Sequence, residues 1–267
     1  MEKINIKDIN INSLQRLANQ GSKSITYTDG NTCYKVLTGL YTDEKKVLED
    51  KFQELSSLHI DKVLMPKDLI VKDGLLEGYT MDYFKDSKSL SDFYSTRFYN
   101  IKDLFESLKE ASKILRKIHD SGIIYQDLSF ENILINKDRE IRFCDIDGCS
   151  YKYYNAPFIS LLLKCFLLDY RKEKVYLSKD LDKLSMLVSF YDIIFDEEIN
   201  HISKRQYKEL SNNVVTLKES RELFETLLNK KSLLTTLPYL DEIIDDSDDY
   251  IVDREKLLTL KRKIFRF

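Results

Sequence analysis

Three oxygen-bearing side chains near the middle of the chain have types and spacing that could do chemistry. Asp127, Asn132 and Asp145 fall within H-D-S-G-I-I-Y-Q-D-L-S-F-E-N-I-L-I-N (residues 119–136) and K-D-R-E-I-R-F-C-D-I-D-G-C-S (residues 137–150). Carboxylate and amide oxygens are the donors a hard divalent cation takes. A carboxylate can also orient a hydroxyl and accept its proton. A solvated acidic turn running into a strand is the other reading of such a segment. Context favours chemistry: a helical pattern precedes it, the apolar run Ile133–Ile135 follows Asn132, and Asp145 returns eighteen residues after Asp127. Loop, strand, turn and strand in that interval would bring the second carboxylate back beside the first.

The elements that must position these groups differ along the chain. Ser24–Thr28 and Thr32–Leu37 are β-branched and aromatic runs joined by Asp29-Gly30-Asn31, a hairpin signal because Gly and Asn tolerate the positive φ of a tight turn. Thr42 is placed to cap a helix, with Asp43 and Glu44 in its first turn. Val47, Leu48, Phe52, Leu55 and Leu58 supply that helix with an apolar stripe. Two more strand-like runs, Asp68–Lys72 and Leu75–Phe84, flank Asp73-Gly74. From about residue 83 the pattern turns helical. Leu104, Leu108, Ala111, Leu115 and Ile118 mark one buried face, and Gly122 ends the helix. Ile123–Tyr125, Ile133–Ile135 and Glu140–Cys144 read as short extended runs. Leu184, Leu187, Val188, Tyr191 and Phe195 mark another helix, and Thr216–Glu219 a capping box opening one through Leu228. The expected architecture is α+β, a small antiparallel β unit with one helix (1–82) followed by a larger helical unit (83–267).

Bulk properties exclude several classes. The 267 residues are 43% hydrophobic and 33% charged, which suits a globular chain and not a disordered one. A net charge of −3 gives no reason to expect a nucleic-acid surface. Met1–Asn10 lacks the apolar core of a signal peptide, and Phe158–Leu168 carries Lys164 and is too short to span a bilayer. Cys33, Cys144, Cys149 and Cys165 form no C-x-x-C pair and no zinc-ligand spacing. Free thiols in a reducing, cytoplasmic setting are expected.

The segment 119–150 resembles the protein-kinase superfamily, whose members follow a long helix with H-R-D-L-x-x-x-N, a hairpin and D-F-G. The resemblance covers roughly residues 14–195 and is specific in the catalytic segment. It implies a two-lobed fold, ATP and Mg²⁺ as cofactors, Asp127 as the catalytic carboxylate, and Asn132 and Asp145 as metal ligands. Lys35, in the strand C-Y-K-V-L, takes the place of the lysine that grips the α- and β-phosphates. Gln20-Gly21-Ser22-Lys23-Ser24 becomes the phosphate-covering loop, with one Gly in place of three. The helical glutamate that should pair with Lys35 is Glu49, with Glu54 and Glu44 as competitors. Met81 would be the gatekeeper, and backbone groups at Asp82 and Tyr83 would bond adenine; a plain edge strand with a core Met is the alternative. Asp182, opening D-K-L-S-M, would bond the catalytic-loop backbone.

Departures shape the functional expectation. The family's His-Arg before the catalytic Asp is Tyr125-Gln126 here, the lysine two residues after it is Ser129, and D-F-G is Asp145-Ile146-Asp147. A second register would make Asp147-Gly148 the D-G pair. Asn155–Phe158 is the nearest trace of the A-P-E motif. The resemblance implies transfer of the γ-phosphoryl of ATP to a hydroxyl, by a divergent bacterial-type Ser/Thr protein kinase. A small-molecule kinase of the aminoglycoside and choline type is the alternative; such enzymes also lack the lysine at the Ser129 position. The acidic stretch Asp241–Glu255 could suit a cationic acceptor, or be simply solvated. A pseudokinase acting as a regulatory binding module is the rival from another class.

Overall fold

The computed structural model describes residues 1–17, 24–95, 101–154, 178–195, 205 and 237–244. Residues 20–23 of the expected phosphate loop, the A-P-E trace, the apolar run Phe158–Leu168, the helix after Thr216 and most of the Asp241–Glu255 stretch lie outside them. Within the described residues the chain is a mixed α/β protein built around a six-stranded sheet, followed by helices and two small sheets.

The large sheet contains β1 (Lys3–Asn5), β2 (Gln15–Arg16), β3 (Ser24–Thr28), β4 (Thr32–Leu37), β5 (Leu69–Lys72) and β6 (Leu75–Asp82), in the order β1-β5-β6-β4-β3-β2. The β3–β4 hairpin has the boundaries its residues predict. Its turn is held by the Asp29 carboxylate, which accepts the N–H groups of Asn31 and Thr32 at 2.8 Å each. Asp73 and Gly74 both adopt positive φ, 50° and 82°, the backbone a two-residue hairpin requires. β1 was not expected, and it pairs parallel to β5, so this sheet is not wholly antiparallel. Gly78 lets β6 run close to β4, because a Cβ there would overlap the Lys35 carbonyl.

Helix α1 (Thr42–Ser56) lies against this sheet through Phe52 and Leu55, both fully buried, with the Phe52 and Tyr79 rings 4.8 Å apart. Thr42 is its first residue and not its cap. Tyr41 occupies the cap position and donates its N–H to Glu44 Oε2 at 2.9 Å. Val47, expected in the stripe, is 53% exposed. The buried face is turned toward Lys51, Phe52 and Leu55.

Beyond the sheet, β7 (Ser87–Ser89) adds to β9 (Ile133–Asn136) and β10 (Ile141–Phe143), while β8 (Ile123–Ile124) pairs with β11 (Ser150–Tyr151). These two small sheets hold the ends of the loop that carries Asp127. Helices α2 (Leu90–Ser95), α3 (Ile101–Asp120), α4 (Lys179–Phe195) and α5 (Leu240–Ile243) surround them. The apolar face of α3 is buried along Leu104, Leu108, Ala111, Leu115 and Ile118, and Phe105 meets Phe190 of α4 edge to face at 5.7 Å. Arg116 of α3 binds Asp241 and Glu242 of α5 at 3.2 and 3.0 Å, so these two acidic residues serve helix packing. Among the described residues no helix is long and apolar enough to cross a membrane.

Candidate phosphotransfer site

The loop carrying Asp127 is fixed from below by Asp182, near the start of α4. Its carboxylate is fully buried and accepts the N–H groups of Tyr125 and Gln126, each at 2.7 Å. The same carboxylate lies 2.9 Å from His119 Nε2, and His119 Nδ1 is 2.8 Å from the Tyr239 hydroxyl. Gln126 holds φ at +67°, a left-handed conformation that side chains seldom adopt. The two hydrogen bonds to Asp182 pin the backbone leading into that strained residue, and the next residue, Asp127, is exposed at the surface.

Asn132 closes the loop. Its Nδ2 donates to the Asp127 carbonyl at 2.8 Å, which leaves the amide oxygen as the atom a hard cation would take. Its own carbonyl accepts the Cys144 N–H at 3.0 Å, so the residue before Asp145 is laced to the residue at the loop's end. Asp145 has φ of +65°. A Cβ on Gly148 would come within 3.9 Å of Asp127 Cβ, which sets the 145–148 turn directly against the Asp127 loop.

Across from this, Lys35 of β4 is buried and ion-paired with both Asp145 and Asp147, the latter at 2.7 Å. Tyr79 lies opposite Lys35 in the β4–β6 register and donates its hydroxyl to Asp147 Oδ1 at 2.7 Å. Burial alone would lower the Lys35 ammonium, but Asp147 and Asp145 outweigh it and raise it above the ordinary lysine value. The two carboxylates divide. Burial opposes ionisation of Asp147, yet Lys35 and the Tyr79 hydroxyl hold it below the usual range. Burial and the neighbouring Asp147 push Asp145 up to about 6, against the pull of Lys35. Asp145 keeps 39% of its side-chain surface open and Asp147 only 18%, so Asp145 is the one able to meet a ligand.

Lys35, Asp127, Asn132 and Asp145 therefore lie around one site, while other expected members do not. Glu49 pairs with Lys3 at 2.6 Å and not with Lys35. The reason is helical phase: Glu49 sits about 160° around α1 from the buried Lys51. Its competitors are also engaged elsewhere, Glu44 at the helix start and Glu54 with Lys152 and the Tyr153 hydroxyl. Asp147 stands where a helical glutamate was expected. Met81 is nearly buried opposite Cys33, and the Asp82 carboxylate binds Lys67 at 2.5 Å. The Tyr83 N–H donates to the Asn31 carbonyl at 2.9 Å, so that donor is spent within the chain and is not offered to adenine. Gly21, Ser22 and Lys23 lie outside the described residues. The sequence reading missed Tyr79 and Lys51. A lysine four residues before Leu55, in the apolar stripe, was the available signal for the second.

The donor set suits a magnesium–nucleotide complex. Among the described residues no cluster of three or more His, Cys, Asp and Glu side chains could hold a metal unaided. Mg²⁺ is commonly held by one or two protein oxygens together with substrate phosphates, and Asp145 with Asn132 supply such a pair.

No protein-family model matches the chain. A 3-deoxy-D-manno-octulosonic acid kinase from Actinobacillus succinogenes is 29% identical over 129 residues, covering 44% of this chain and 52% of that protein. The chain thus spans about half the length of the curated relative it matches. The likeness supports a kinase-like chain.

Proposed function

We propose that this chain is an ATP- and Mg²⁺-dependent phosphotransferase that moves the γ-phosphoryl group to a hydroxyl of a small molecule. The frame would be two-lobed, with residues 1–82 binding nucleotide and residues 83–267 carrying the catalytic loop. The observation that carries the reading is the convergence of Lys35, from the large sheet, on the 145–147 turn that also touches the Asp127 loop. Phosphoryl transfer needs positioning and charge neutralisation more than covalent chemistry, and this cluster is built for both.

Bound Mg-ATP supplies the transferable group and the cation that offsets its developing charge. Lys35, kept charged by its two carboxylates, would receive phosphate oxygens. Asn132 and Asp145 would hold the cation. Asp127 would orient the acceptor hydroxyl and take its proton. Gln126 and Ser129 stand where protein kinases carry an arginine and a lysine, and the matched relative is named for a sugar-acid acceptor. Both points favour a small-molecule acceptor over a protein Ser/Thr.

Radiolabelled ATP added with the protein to a size-fractionated lysate tests the reading. Label should enter the small-molecule fraction and depend on Asp127. Label confined to protein would restore the protein-kinase reading. No transfer with intact Mg-ATP binding would indicate a binding module.

A further inference from the structure

Lys51 is 1% exposed, on the inner face of α1 beside Phe52. A lysine buried there without partners would be very costly. Its ammonium donates to the Asp147 carbonyl at 2.8 Å and to the Cys149 carbonyl. Asp147 is thus gripped from three elements: its carboxylate by Lys35 of β4 and Tyr79 of β6, and its main chain by Lys51 of α1. Two residues earlier, Asp145 is bound through Lys35 and remains partly open. The position of α1 is therefore transmitted to the 145–149 turn through a cation and two carbonyls, with no acidic side chain of the helix involved.

We infer that Lys51 is a positioning residue for the nucleotide site, setting Asp147 against Lys35 and so fixing where Asp145 meets the cation. The inference rests on the phosphotransferase reading above. It assigns to Lys51 and Asp147 together the link between helix and phosphate-binding lysine that a helical glutamate would otherwise make. Loss of groups that orient metal-binding side chains commonly weakens affinity or activity by about 10–100-fold.

Three proteins decide it: wild type, Lys51→Met, which keeps the length and removes the donor, and Tyr79→Phe, which removes one hydroxyl. Each is measured for amide hydrogen exchange across residues 145–150 and for Mg-ATP affinity by calorimetry. In Lys51→Met, exchange at 147–149 should rise at least about tenfold while α3 is unchanged, and Mg-ATP should bind about tenfold more weakly. Both must move together. Faster exchange with unchanged affinity would make Lys51 a fold tether only, and weaker binding with unchanged exchange would mean it acts by another route; either overturns the inference. Should Lys51→Met not fold, Tyr79→Phe carries the test, and unchanged Mg-ATP affinity in that variant overturns it. A wild-type protein that does not bind Mg-ATP would instead bring down the phosphotransferase reading, and with it the role of Lys51 toward nucleotide.

Discussion

Asp182 Oδ1 accepts the backbone N–H of Gln126 at 2.7 Å, across 56 residues of chain, and Gln126 is the residue whose φ of +67° aims Asp127 outward. A buried carboxylate on α4 thus holds a strained loop conformation open. Asp182→Ala would leave two buried N–H groups and one face of His119 without an acceptor. The expected cost is about 3 kcal/mol, a fall of roughly 6–12 °C in Tm for a chain of this size. Differential scanning calorimetry checks it. A fall of less than 2 °C would show that the loop is held by other contacts.

Asp127→Asn preserves size and removes the proposed proton acceptor. Nucleotide binding should persist while kcat falls about a hundredfold. Steady-state transfer and the Mg-ATP-induced thermal shift, measured on one preparation, separate the two effects. Turnover near that of wild type would make Asp127 structural.

Asp145→Asn should act in opposite directions with and without ligand. Asp145 is raised to about 6, so at pH 7.5 its ionised form is less favourable in the folded chain than in the unfolded one. A neutral amide removes that penalty, and the ligand-free variant should melt above wild type. Because 39% of the side chain is exposed, water screens much of the effect and a rise of only about 2 °C is expected. The advantage should shrink as pH falls below 6 toward 4, where wild-type Asp145 takes up a proton and is relieved of a penalty that the variant never had. The Mg²⁺-dependent part of the ATP-induced shift should be lost. Thermal scans from pH 5 to 8, with and without Mg-ATP, read both halves.

Burial pushes the Cys33 and Cys144 thiols up to about 12 and Cys149 to about 11. At pH 8 a thiol of pKa 12 is thiolate in only ~10⁻⁴ of molecules, against about a quarter for a free thiol. Native protein should therefore alkylate at these three positions at least a hundredfold more slowly than protein in urea. Peptide mapping after timed iodoacetamide treatment gives the rate at each site. Rapid native modification of Cys144 would contradict the close lacing of Asn132 to Cys144.

The hairpins, α1 and α3 were legible because each is written in local chemistry: an Asp-Gly-Asn turn, an Asp-Gly turn, apolar residues at helical spacing. The loop around Asp127 was legible because its spacing carries its geometry. Glu49 was misread since helical phase depends on which face the sheet accepts. Val47, expected in the apolar stripe, lies outside, and Lys51, on which nothing had been read, lies inside. Asp147 could not be ranked above a helical glutamate from the chain alone. Its partner Tyr79 is set by the β4–β6 register, a contact between segments far apart in sequence. β1 was hidden for a related reason, as three residues have no periodicity to read.

Gly78 lies on β6 and takes no part in any reaction, yet its lack of a side chain is what allows Lys35 its place in the sheet. A codon change to alanine there would push β4 outward and draw the Lys35 ammonium away from Asp145 and Asp147. In a random-mutagenesis selection, position 78 would therefore score with Lys35 and Asp127, and a hit there would be a lesion in reach rather than in chemistry. Second-site suppressors should arise by shifting β4 back, not by altering Asp127 or Asn132.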